Sequence, residues 1–346
     1  MMGVLKDLET FMFSAERTAD DGVPSASMAM LDDPTGPIQT HIIAQDKRHY
    51  DANTVYQACS IFKAITALAE AKLIDLGHLT YDTKVVDHVP ESLLDSMLDD
   101  KTRHLMQYVT VGLLVSHRSG LSQHGFAGYT GDTPLPGYTE LSAGQPPAKS
   151  PRLRFLNFPG SQCTYSGGGF VILQILLGQI MAKPFPEIMQ EMVLGPLKMN
   201  RSRFGDLPTD ESNFAKAHVT GYVQGTNRGR GYHEFTELAA AGLWTTPSDL
   251  LKAVAAIQIS LHSDSGFLSR ATADAMLAPV SPSTSGLNMA YGCGSDGTFF
   301  AHAGQNEPGF TCYVIGAHGY ARPVLNGTNQ PGTASVCIVT NSIIAS

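Results

Sequence analysis

The sequence predicts a mixed α/β fold, with an antiparallel sheet flanked by helices and built from both chain ends, and a mainly helical lobe inserted between them. Two observations carry this. Short alternating runs bounded by turn residues occur near the N-terminus and again after residue 230. The stretch between them favours helices and long loops, with no internal repeat. The α/β lobe is expected to comprise residues 1–75 and 231–346, and the helical lobe residues 76–230.

The chain has 346 residues, 43% of them hydrophobic, enough for one large domain or two lobes sharing a core. Its net charge of -8 and scattered basic residues leave no stripe for nucleic acid, so no nucleic-acid partner is expected. Residues 1–21 interleave apolar side chains with Lys6, Asp7, Glu9, Glu16 and Arg17, which predicts an amphipathic helix and not a signal peptide. No apolar run approaches the roughly 20 residues of a membrane span. The five cysteines (Cys59, Cys163, Cys293, Cys312, Cys337) are widely spaced and lack a Cys-x-x-Cys pair. Reduced, mostly buried thiols in a cytoplasmic protein without a metal are expected.

Taken in order, Ser25–Leu31 follows the turn signal Asp21-Gly22-Val23-Pro24 and predicts the first strand, with a second over residues 38–43. Ala64, Ile65, Ala67, Leu68, Ala69, Ala71, Leu73 and Ile74 then predict a helix that is apolar almost all round and therefore buried, ending near Gly77. Residues 120–159 form a long stretch rich in Gly, Pro, Ser and Thr, with Phe126, Tyr129, Tyr138, Phe155 and Phe158 interspersed. A loop of that length in a compact domain is usually functional, and the aromatics predict a substrate-side lid. An apolar helix over residues 170–182 follows Gly167-Gly168-Gly169. Further strands are expected at residues 241–245, 299–302, 311–315 and 335–341. A helix over 247–260 has Thr246 or Ser248 as its cap and Pro247 in its first turn.

Three constellations carry chemistry. Ser60-Ile61-Phe62-Lys63 is the sole Ser-x-x-Lys, placed where the buried helix opens. The i, i+3 spacing puts both side chains on one face, and a lysine becomes a base for a hydroxyl once burial or the helix dipole lowers its pKa. A helix cap with a lysine reaching to solvent is the plainer reading of the same tetrapeptide. Tyr165-Ser166-Gly167 offers a phenol on a glycine turn, with Tyr129-Thr130-Gly131 as a rival copy that no helix follows. His302-Ala303-Gly304-Gln305 ends a strand, where small residues leave room for a substrate and Gln305 can meet an oxyanion; a surface histidine is the alternative.

Together, in this order, the motifs resemble those of class C β-lactamases, family VIII esterases and penicillin-binding-protein-like hydrolases. Gly22-Val23-Pro24, the segment Val115-Ser116-His117-Arg118-Ser119-Gly120-Leu121, the segment from Ala239 to Leu250 and the strand from Val336 to Asn341 extend the similarity over nearly the whole chain. The resemblance implies a β-lactamase/transpeptidase-like fold with its site where the two lobes meet. It implies Ser60 as the acylated nucleophile, Lys63 as its base, Tyr165 as proton relay, and the backbone amides of Ser60 and Gln305 as oxyanion hole. Substrate contacts are expected from His302, Gly304, Gly167, Phe126 and Tyr129, and no metal or organic cofactor is implied.

Two departures bear on substrate. The family's Tyr-x-Asn is here Tyr165-Ser166-Gly167, and the Lys-Thr-Gly of true β-lactamases is His302-Ala303-Gly304. Both remove grips on a β-lactam's amide and carboxylate, since imidazole is mostly neutral near pH 7. The expected partner is a small-molecule ester or thioester, cleaved by hydrolysis. Acyl transfer, as in the lovastatin-type acyltransferases, is the alternative within the same chemistry. An inactive binding protein on the same fold is the alternative outside it.

Overall fold

The computed structural model describes residues 22–45, 48–131, 134–219, 223–224, 231–263, 265–278, 292–293, 299–307, 309–317 and 335–343. The amphipathic helix expected over residues 1–21 lies outside them. Strands β1 (Ser25–Leu31), β2 (Gln39–Ala44) and β3 (Tyr56–Gln57) lead through a single 3-10 turn, Cys59–Ile61, into helix α1 (Phe62–Asp75). The middle of the chain supplies α2 (Glu91–Met97), α3 (Val111–Val115), α4 (Tyr138–Ala143), α5 (Gly167–Met181) and α6 (Phe185–Met189). Short strands β4 (Arg203–Phe204), β5 (His218–Val219) and β6 (Val223–Gln224) follow, then α7 (Leu238–Ala241), β7 (Leu243–Thr245), α8 (Pro247–His262) and α9 (Arg270–Leu277). The last strands are β8 (Gly292–Cys293), β9 (Phe299–Asn306), β10 (Phe310–Ala317), β11 (Ser335–Thr340) and β12 (Ser342–Ile343).

The main sheet runs β2-β1-β11-β10-β9-β8 and is antiparallel throughout. Pairing of Ala26 with Thr340 and of Leu31 with Ser335 joins the two ends of the described chain, as the sequence predicts. Alternation along β10 buries Phe310, Cys312, Val314 and Gly316, and along β11 Ser335, Cys337 and Val339. That face packs on α8, and α9 links α8 to α1. Helix α1 is buried from Phe62 to Ala71, with α6, α7 and α9 around it, which is why its apolar residues show no single face.

The structure differs from expectation in two places. Within the predicted strand 241–245, the alanines close a helical turn in which Ala240 and Ala241 donate to the Glu237 carbonyl, so the strand begins only at Leu243. The second difference is the loop 120–159, which is no continuous lid. It forms α4, whose Glu140 carboxylate accepts from the Gly137 amide, and it is pinned by bridges of Leu121 to Phe155, Leu98 to Leu153 and Tyr129 to Glu234. Tyr129, Leu141, Leu153 and Phe155 are buried in the core and serve packing, while Leu135, Tyr138, Leu156 and Phe158 are exposed and Phe126 is half-buried.

The cap of α8 is Thr246, whose hydroxyl accepts from the Asp249 amide at 3.2 Å. Thr246→Ala should lower the unfolding free energy by about 1 kcal/mol, whereas Ser248→Ala should change it by less than about 0.5 kcal/mol. Urea titration of both variants distinguishes the two caps that the sequence left open.

Candidate active site

Ser60 sits in the 3-10 turn ahead of α1. Cys59 before it adopts a left-handed backbone (φ 49°), which turns the chain sharply at the nucleophile position. Two thiols brace the turn, since Cys312 Sγ donates to the Ala58 carbonyl at 2.8 Å and Cys59 Sγ to the Phe310 carbonyl at 3.4 Å. Three residues on, Lys63 Nζ lies 3.3 Å from Ser60 Oγ and donates to the Ala240 carbonyl at 3.0 Å. Lys63 is 2% exposed, so it does not reach to solvent. Burial lowers its pKa to about 7, against a smaller opposing pull from the neighbouring thiols.

Tyr165 closes the other side of this pair. Lys63 Nζ is 5.1 Å from the centre of its ring, and Ser60 is close enough to draw the phenol's pKa down against the larger, upward effect of burial. The net position is about 12, so the phenol stays protonated at neutral pH. Its hydroxyl is buried and has no hydrogen-bond partner among the described residues. Backbone on both sides of Tyr165 is tied to one residue: Thr164 N–H donates to the His117 carbonyl at 2.8 Å and Ser166 N–H to His117 Nδ1 at 3.1 Å. Ser166 then caps α5 by accepting from Gly169 N–H. The phenol ring lies between two imidazoles, His117 at 4.2 Å and His124 at 4.7 Å between ring centres. Because His117 Nδ1 accepts, Nε2 carries its proton. Burial, with Lys63 and His302 nearby, holds this imidazole well below its usual pKa and therefore neutral.

Strand β9 completes the site. A Cβ at Gly304 would stand 2.4 Å from the Ser60 amide nitrogen and 2.7 Å from Cys59 Cβ. Gly304 thus lets β9 approach the nucleophile turn and fills the space its missing side chain leaves, so the expected substrate contact there is corrected to backbone packing. The same approach brings Gln305 beside the Ser60 amide. His302 shares the inward face of β9, and its Nδ1–H donates to the Ala303 carbonyl at 2.7 Å. Burial and the Lys63 ammonium push its imidazole down to about 4.

A cleft of about 410 Å³ opens over Ser60 and Lys63, walled by His124, Gly125, Phe126 and Ala127 on one side and by Gln305, Asn306 and Glu307 on the other. This volume suits a small molecule. A surface cleft of about 470 Å³ beside Arg201 and Trp244 includes Ser202, but its hydroxyl donates to Asp249 Oδ2 at 2.8 Å and no lysine is among the described lining residues. The structure therefore brings together Ser60, Lys63, Tyr165, Gln305 and Phe126, with His302 alongside Lys63. Tyr129 is excluded from the cleft: it is 1% exposed, and its hydroxyl accepts from the Lys149 amide, so the rival tyrosine is structural. Gly167 also makes no room for substrate. A Cβ there would meet the Phe126 ring at 2.8 Å and the His124 carbonyl at 3.0 Å, so its smallness seats the 124–126 wall. The sequence reading missed His117 and His124 as parts of the site. His117 lay in view within the segment Val115–Leu121, but nothing in its spacing tied it to Tyr165.

The Beta-lactamase family profile matches residues 14–326. The chain belongs to the beta-lactamase family. This is a serine hydrolase family, and the site holds a serine, a lysine and a tyrosine at its centre. Protein Rv1367c of Mycobacterium tuberculosis (strain ATCC 25618 / H37Rv) is 28% identical over 163 residues, which are 44% of this chain and 39% of that protein. The chain thus spans about two fifths of the length of this curated relative. Among solved structures, the octameric penicillin-binding protein homologue from Pyrococcus abyssi superposes with a TM-score of 0.70 at 19% identity, covering 99% of this chain and 74% of that one. The D-amino acid amidase from Ochrobactrum anthropi SV3 gives 0.68 at 16% identity over 96% and 92% of the two chains. Identities this low establish the shared β-lactamase/transpeptidase-like fold.

Lys63 generates two linked expectations. With Lys63 as the base for Ser60, the reading proposed below, the rate of Ser60 labelling by a fluorophosphonate should rise with pH through about 7 and then level off. The fold disfavours the protonated amine, whose pKa falls from 10.5 to about 7. The resulting destabilisation is complete below pH 7, shrinks between the two values and vanishes above the higher one. Lys63→Met should therefore raise the urea midpoint at pH 7, by a gain that fades towards pH 10, while abolishing labelling. A midpoint at pH 7 no higher than that of the wild type would show that the buried amine costs nothing.

Proposed function

We propose that the protein hydrolyses small carboxylic esters or thioesters through an acyl-enzyme on Ser60. The observation that carries this reading is the dry Lys63 amine 3.3 Å from Ser60 Oγ, with the unpartnered Tyr165 hydroxyl adjoining, at the floor of a cleft. In the first half-reaction neutral Lys63 takes the Ser60 proton as Oγ bonds to the substrate carbonyl carbon. The oxyanion is held by the backbone N–H groups of Ser60 and Gln305. As the C–O or C–S bond breaks, Tyr165 gives its proton to the leaving group and recovers one from Lys63. Water then adds to the acyl carbon, losing its proton along the same path, and Ser60 leaves with a proton restored.

The departures from the β-lactam grips support an ester over an antibiotic. The space of the family's asparagine at position 167 is occupied by the 124–126 wall, and His302 is neutral at physiological pH. Hydrolysis is favoured over transfer by the cleft walls, because His124, Gly125, Ala127 and Gln305 are all exposed and give water access to the acyl group. Amide substrates belong in the same test, since two of the structural neighbours are an amidase and a D-stereospecific amidohydrolase.

Ser60→Ala should abolish turnover of p-nitrophenyl esters and labelling by a fluorophosphonate while leaving the circular dichroism spectrum unchanged. Turnover persisting in this variant would remove Ser60 from the mechanism, and a wild type neither turning over nor labelled would indicate a binding protein. His302→Lys supplies a permanent cation beside the site. The kcat/KM ratio of carboxylate-bearing to neutral esters should rise roughly fivefold or more, an increase that salt weakens. An unchanged ratio would show that His302 does not act on the substrate.

A further inference from the structure

Apart from Lys63, the charged side chain lining the cleft is Glu307, and its position distinguishes this site from a neutral esterase pocket. Along β9 the residues alternate: His302, Gly304 and Asn306 turn inward, while Ala303 and Gln305 face out, followed by Glu307 in the next turn. Glu307 therefore continues the exposed edge on which Gln305 borders the reacting carbonyl. Glu307 is the first residue beyond β9, two positions after Gln305. The end of β9 is held in place, because Asn306 Nδ2 donates to Gln57 Oε1 at 3.2 Å and Gln57 Nε2 donates to the His233 carbonyl at 2.7 Å.

No basic side chain forms an ion pair with Glu307 among the described residues. His233 is near enough to feel its charge, but that imidazole donates Nδ1–H to the Ala127 carbonyl, and burial lowers its pKa, so it is neutral at pH 7. On the inner side the cation that β-lactamases carry is replaced by neutral His302. Lys63 is committed to Ser60 and Ala240 on the cleft floor. Among the described residues the rim thus presents a negative charge without an ion-pair partner, on the same cleft as Ser60.

We propose that Glu307 is a specificity-determining subsite for an ammonium group, so that the preferred substrates are esters carrying an amine a few atoms from the scissile carbonyl. The inference rests on the hydrolase reading and adds the substrate class to it. An ammonium at the rim gains a charge-assisted contact with the carboxylate, whereas a carboxylate there meets repulsion with no basic residue to relieve it. The contact is partly exposed, which makes it modest and sensitive to salt.

The experiment uses three p-nitrophenyl esters of equal chain length, ending in methyl, ammonium or carboxylate, at low and high salt. The wild type should rank them ammonium, methyl, carboxylate in kcat/KM. Glu307→Gln should lower the ammonium-to-methyl ratio about fivefold, chiefly through KM, and Glu307→Lys should raise carboxylate above ammonium. Binding of stable amide analogues of the three esters to the Ser60→Ala protein, measured by calorimetry, reads the subsite without turnover. The same rank order in Kd, lost on adding Glu307→Gln, supports the subsite even if no ester is hydrolysed, an outcome that would sink the hydrolase reading alone. Equal Kd values for the three analogues, or an ammonium-to-methyl ratio untouched by Glu307→Gln, overturns the inference whether or not Ser60 turns substrate over.

Discussion

The site depends on keeping one amine out of water. In the proposed mechanism Lys63 can serve as a base because α1 is buried and brings its ammonium into a place where charge is disfavoured. The compensation it receives is small: one carbonyl, Ala240, and one hydroxyl, Ser60. A carboxylate beside Nζ would have held the lysine protonated and inert. The helical turn α7 matters for that reason, since it presents a carbonyl dipole to the lysine without a formal charge. The alanines that deny the sequence its expected strand at residue 241 are the ones that make this turn.

The second constraint is close approach. Two backbone approaches shape the site, and each occurs where a side chain is absent. Gly304 lets β9 touch the Ser60 amide, and Gly167 and Gly168 let the first turn of α5 press against residues 122–126. The Tyr165 ring then packs against His117 and His124, its hydroxyl close to Ser60 and without a hydrogen-bond partner among the described residues. Gly167 in the place of the family's asparagine is therefore a repacking and not an erosion of the site, because the space of that side chain is filled by Phe126 and the His124 carbonyl. The grouping of Ser60, Lys63 and Tyr165 is kept while the wall of the cleft beside them is built differently.

Much of this was legible before any coordinates. The strand Ser25–Leu31, the buried helix behind Ser60, the glycine-led helix after Tyr165 and the pairing of both chain ends all follow from local periodicity, turn residues and the order of the motifs. Short spacings put Ser60, Lys63 and Tyr165 forward as candidates, and the roles expected of them came from the family resemblance. What escaped was tertiary. The link from His117 to Tyr165 spans a separation that no local pattern encodes. The roles of Gly167 and Gly304 were misread because a glycine that admits a neighbouring backbone and one that admits a substrate look identical in sequence. Residues 120–159 suggested a lid on composition, yet Tyr129 and Phe155 serve the core, Tyr138 and Phe158 are exposed and only residues 124–127 wall the cleft, since composition does not say which side of a loop faces inward.

Charge ties these features together. A lysine at position 302 would hold a substrate carboxylate, but it would also stand beside Lys63 and drive that amine's pKa lower still. A weaker base accepts the Ser60 proton less readily, although more of it is neutral at a given pH. Neutral histidine removes this coupling and leaves Lys63 poised near pH 7 by burial alone. The same substitution removes the attraction that would draw anionic substrates inward, so base tuning and substrate charge are set by one residue. With position 302 neutral, the field over the cleft mouth is governed by Glu307, and the sign of charge the site admits becomes the reverse of that suited to a carboxylate-bearing antibiotic.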